Sequence, residues 1–102
     1  MSRPLLYLPE VARDYADAFG YYEALSPSAA LKFDEAFSHA ESDVESGLAT
    51  HQRAFDHYHR VFIGRFPYHL YYRLTATHAI VVGVLYARFS PERIEETLRG
   101  RE

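Results

Sequence analysis

The sequence predicts a single α+β domain over residues 1–102, ordered β-α-α-β-β-β-α, with a helical hairpin on one face of a mainly antiparallel four-stranded sheet. Two observations carry this. Apolar residues recur at helical spacing up to Gly47, change to a period near two, and return to helical spacing after Pro91. Ser-Pro pairs at Ser26-Pro27 and Ser90-Pro91 each supply a side-chain cap followed by a residue pre-set for a first helical turn.

Leu5 to Leu8 reads as a short first strand, stopped where Pro9 removes a ladder donor and favours a helix start. Val11, Tyr15, Ala18, Tyr22 and Leu25 then form one helical stripe, with Arg13, Asp14, Asp17 and Glu23 elsewhere on the wheel. A second stripe, Ala30, Phe33, Phe37, Ala40 and Val44, runs towards Gly47. So short a link between two amphipathic helices predicts an antiparallel hairpin.

Phe55 to Ile63, Phe66 to Leu74 and Ala79 to Ala87 are rich in Val, Ile, Phe and Tyr and predict three strands joined by short loops. In the middle strand, Phe66, Tyr68, Leu70, Tyr72 and Leu74 are expected to face the helices. Pro67, His69, Tyr71 and Arg73 are expected on an open face, joined by Arg60 from the neighbouring strand. Both parities of the third strand are apolar, which predicts a central strand covered on both sides. Ile94 and Leu98 give a short last helix ending at Gly100.

Charge is distributed unevenly. Residues 1–50 hold nine carboxylates against Arg3, Arg13 and Lys32, whereas residues 57–91 hold none beside Arg60, Arg65, Arg73 and Arg88. The net charge of −3 averages these opposed halves. A cationic second half implies a partner bearing negative charge. The absence of cysteine excludes disulfides, thiolate nucleophiles and cysteine-based zinc sites. The longest apolar run, Ala79 to Ala87, is far short of the roughly 20 residues that span a bilayer, so a cytoplasmic protein without membrane contact is expected.

His57 and His59 would sit about 7 Å apart on one strand face, but no further ligand is expected to converge on them, so neither metal nor cofactor is predicted. No phosphate-binding, dinucleotide or nucleophile-elbow pattern occurs. Tyr71 and Tyr86 are the tyrosines left open for contact by strand parity. The aromatic surface would also permit a homodimer, though nothing in the sequence defines its symmetry.

The stretch Arg60-Val-Phe-Ile-Gly-Arg65-Phe-Pro-Tyr68-His-Leu-Tyr-Tyr72-Arg-Leu resembles the ParE-like, plasmid-stabilisation branch of the RelE/ParE toxin superfamily. Ala79 to Arg88 is similar to that family's apolar strand ending in an arginine, and Ala12, Asp14 and Tyr21-Tyr22 match its first-helix signature. The resemblance implies a RelE/ParE-like fold and a small cytoplasmic, growth-inhibiting toxin of a toxin–antitoxin pair, wrapped by a cognate antitoxin. ParE-like members poison DNA gyrase; RelE-like members cleave ribosome-bound mRNA without a metal. Arg88 matches the arginine with which RelE-like members handle the scissile phosphate, making it the candidate catalytic residue; the later tyrosine and the basic lysines of that branch are missing, and His57, His59 or His69 would have to serve in proton transfer instead. The ParE-like His-x-Arg-Arg-Asp-Pro segment is here Tyr86-Ala-Arg88-Phe-Ser-Pro91. Implied target and antitoxin contacts are Arg60, Arg65, His69, Tyr71, Arg73, Tyr86 and Arg88. A gyrase-binding toxin is the leading expectation, with a RelE-like endoribonuclease and a non-toxic fold relative as alternatives.

Overall fold

A computed structural model describes residues 2–47 and 52–102. It is α+β, with three helices and a five-stranded open mixed sheet. Leu5–Tyr7 (β1) leads into helix Glu10–Leu25 (α1), then helix Pro27–Ser46 (α2). Strands Gln52–Phe55 (β2), Tyr58–Phe62 (β3), Tyr68–Leu74 (β4) and Ala79–Tyr86 (β5) follow, and helix Pro91–Gly100 (α3) closes the chain.

The helix boundaries have local causes. Ser26 sits in extended backbone and its hydroxyl accepts from Ala29 N–H at 3.0 Å, so one residue ends α1 and caps α2. Ser90 accepts from Arg93 N–H at 3.2 Å and Pro91 occupies the first turn of α3. Gly47 closes α2 in the left-handed region, φ 66°, where a residue without Cβ is least strained.

The strand order is β1-β5-β4-β3-β2, with β1 parallel to β5 and every other pair antiparallel. One expected strand, Phe55 to Ile63, is two. Asp56 adopts φ 49° and turns the chain back, so that Phe55 pairs with Tyr58 across a two-residue connection. Aspartate tolerates this conformation better than most non-glycine residues, which makes a tight hairpin feasible here. The sheet therefore has five strands rather than four, and β1 makes it mixed.

Both sheet faces are covered. On one side Phe33, Phe37, Leu70, Tyr72, Val81 and Val84 lie in a core shared with α1 and α2. Contacts of Tyr15 with Phe37 and of Tyr22 with Phe33 set the two helices antiparallel. On the other side α3 packs Ile94 and Leu98 onto Tyr58, Tyr71, Val82 and Leu85. The expected cover on both faces of β5 is thus present. A bulge opposes Val82 and Gly83 to β4 between Tyr71 and Tyr72 and turns both towards α3. The expectation of an open face at His69 and Tyr71 fails: they are 6% and 0% exposed. The short amphipathic α3 needs an apolar surface to bury its own stripe, and this face supplies it.

Candidate functional site

Arg60 on β3 lies directly opposite Tyr71 on β4, and Gln52 on β2 lies opposite Arg60. The register therefore brings these side chains to the α3 side of the sheet. Arg60 donates from Nε and Nη2 to Gln52 Oε1 at 3.3 and 3.1 Å, so a neutral amide orients its guanidinium and leaves its charge uncompensated. Between sheet and α3 is a cavity of about 160 Å³, bordered by Arg60, Tyr71, Phe55, Phe89, Ile94 and Glu95.

The Tyr71 hydroxyl is buried there without a hydrogen-bond partner. Burial raises its pKa, and the Arg60 guanidinium, close but not hydrogen-bonded in good geometry, opposes without overcoming that effect. His69 lies nearby, its ring 5.9 Å from Tyr71 and 4.1 Å from Phe62. Burial first, then the charge of Arg60, lowers its pKa from 6.5 to about 4. At neutral pH the cluster is a cation beside two neutral groups, neither poised to exchange a proton.

Two outcomes follow. Tyr71→Phe removes a hydroxyl that was desolvated without compensation, so stability is expected to rise by about 1 kcal/mol in urea unfolding. For His69 the folded value lies below the ordinary 6.5. Above pH 6.5 neither state binds the proton and nothing is lost; from 6.5 down to about 4 the unfolded chain takes it up first, so stability falls with pH. The loss is on the order of 2–3 kcal/mol, and His69→Leu is expected to flatten that part of the stability–pH curve.

The remaining expected contact residues are spread differently. Arg73 is clasped by Glu102 at 2.7 Å, and the same carboxylate accepts from Tyr58 Oη at 2.5 Å. Although burial pushes the Glu102 pKa up, these hydrogen bonds and the Arg73 charge bring it below the usual range. Arg73 is therefore a structural cation, not a free contact. Arg65 in the β3–β4 turn and Arg88 beyond β5 are exposed and, among the described residues, make no ion pair. Ala87 N–H bonds to Pro67 O, which places both at one end of the sheet. Tyr86 pairs with Tyr68 on the α1–α2 side, apart from Arg60. His59 stacks on Tyr72 and His57 packs against Tyr58. Among the described residues no three His, Asp or Glu side chains converge to hold a metal ion.

Sequence reasoning missed Gln52 and the C-terminal fastening by Arg99, Arg101 and Glu102, which pair with Asp56, Asp14 and Arg73. One signal was available: with no carboxylate between His57 and Pro91, any counter-charge for Arg73 had to come from outside that stretch. Among the described residues no helix is long and apolar enough to cross a membrane. No family model and no curated protein matches the chain.

Proposed function

We propose that this chain is a ParE-like toxin of the RelE/ParE superfamily, the growth-inhibiting component of a type II toxin–antitoxin system. It acts in the cytoplasm by binding, with DNA gyrase as its target, and a cognate antitoxin neutralises it. The observation that carries the reading is the acid-free strand region, in which Arg60, Arg65 and Arg88 keep their charge uncompensated by any carboxylate ion pair among the described residues. Such guanidinium groups suit an acidic antitoxin segment and a macromolecular target alike, so neutralisation and toxicity compete for overlapping surface. The family-like Arg65-Phe-Pro-Tyr68 segment lies at the same sheet end as Arg88.

The grouping of Arg60, His69 and Tyr71 favours a second reading, a RelE-like endoribonuclease. It is the weaker one, because α3 covers Tyr71 and the His69 pKa is displaced far below neutrality. Induction in cells with and without the adjacent reading frame separates the readings. A gyrase-binding toxin arrests growth, is rescued by the neighbour and leaves mRNA 5′ ends unchanged. New 5′ ends in translated mRNA would replace the first reading by the second, and unimpaired growth would remove both.

A further inference from the structure

On the α1–α2 side, the end of β5 borders a hollow of about 180 Å³ lined in part by Asp14, Asp17, Tyr68, Tyr86 and Phe89. Tyr86 is its corner. Its ring centroid is 5.7 Å from Tyr68 at 64° and 5.5 Å from Phe89 at 72°. Rings set edge-on to one another turn their faces in different directions, as in a box rather than a stack. Tyr68 is packed against the hairpin core and Phe89 against the α3 core, so two walls are anchored independently. Tyr86 belongs to neither core and stays half-buried between them.

The rim is acidic. Asp14 is committed to Arg101, but Asp17 is exposed and makes no hydrogen bond or ion pair among the described residues. Asp17 lines the same hollow as Tyr68, Tyr86 and Phe89, and its charge adds to burial, Tyr86 and Tyr21 in raising the Tyr68 pKa. Phe89 already holds a cation within the chain: the Arg93 guanidinium lies 3.6 Å from its centroid, yet Arg93 does not line the hollow. Aromatic walls also suit nucleobases, but the charged side chains that line the hollow itself are Asp14 and Asp17, and carboxylates at the rim disfavour a phosphate there. Aromatic rings lining a hollow beside an unpaired carboxylate suit an organic cation.

We propose that Tyr68, Tyr86, Phe89 and Asp17 form a cage for an alkylammonium head group, supplied by a free quaternary amine or by a lysine side chain of a partner protein. The full chain is titrated by amide NMR with tetramethylammonium chloride against matched sodium chloride, and separately with a capped Gly-Lys-Gly peptide; tert-butanol serves as the uncharged mimic. Saturable shifts at Asp17 and across residues 84–89 are expected with an ammonium probe, and the arm giving the tighter response identifies the source. Tyr86→Phe keeps the response and Tyr86→Leu abolishes it. Asp17→Asn, at an exposed position without a hydrogen bond or ion pair among the described residues, weakens it roughly three- to tenfold. Absence of saturable shifts in both ammonium arms, an equal response to tert-butanol, or indifference to Asp17→Asn overturns the proposal.

Discussion

Replacing Asp14 by alanine is expected to lower the unfolding free energy by about 3–5 kcal/mol, a large share of a small domain's roughly 5–15 kcal/mol. The Asp14 carboxylate accepts from Arg101 Nη1 at 2.5 Å, from Arg101 Nη2 at 2.8 Å and from Val84 N–H at 3.0 Å. Arg101 also donates to Val82 O at 3.0 Å. Both charged side chains are nearly buried, 13% and 12% exposed, so each depends on the other for the interaction that water would otherwise supply. Removing Asp14 strands a guanidinium and a strand N–H together. The β5 bulge is built around this contact: a Cβ on Gly83 would come within 3.0 Å of Arg101 Nη1 and Leu98 Cδ2. The double replacement Asp14→Ala/Arg101→Met, which removes both charges, is expected to recover much of the loss. Urea unfolding followed by circular dichroism measures both; a double variant no more stable than the single one would show that the pair acts mainly by shape.

Phe33→Ala is expected to cost a comparable amount, about 3–5 kcal/mol, the range for truncating a core aromatic. Phe33 is 0% exposed, with ring centroids 5.2 Å from Tyr22, 5.2 Å from Phe66 and 5.7 Å from Tyr68. It joins α1, α2, the turn before β4 and β4 itself, so no single element can move in to fill the void. Phe33→Leu keeps much of the volume and is expected to lose less than half as much. Equal midpoints for Phe33→Ala and the parent chain in the same unfolding experiment would contradict this packing.

The parts legible in the sequence were those set by neighbours in the chain. Ser26-Pro27 and Ser90-Pro91 marked helix starts because capping and the proline φ restriction act within one turn. Strand parity put His69, Tyr71 and Arg73 on one face because side chains alternate along a strand, whereas the pairing of Arg60 with Tyr71 is set by the inter-strand register. The β2–β3 hairpin was hidden: Asp56 takes a positive φ with no glycine at the turn, inside an otherwise continuous apolar run. The burial of Tyr71 depends on where α3 docks, which its own periodicity does not specify. The pairing of Asp14 with Arg101 spans 87 positions, and nothing local announces it. Of the four arginines read as contacts, Arg73 is held by Glu102, whereas Arg65 and Arg88 remain exposed.

The functional account depends on Arg60, Arg65 and Arg88 meeting an acidic partner. The most direct measurement compares growth after induction of the unaltered chain and of the Arg60→Ala/Arg65→Ala/Arg88→Ala variant, with protein levels and circular dichroism matched. The account predicts arrest by the first and normal growth with the second. Equal arrest by both, or none by the unaltered chain, would contradict it.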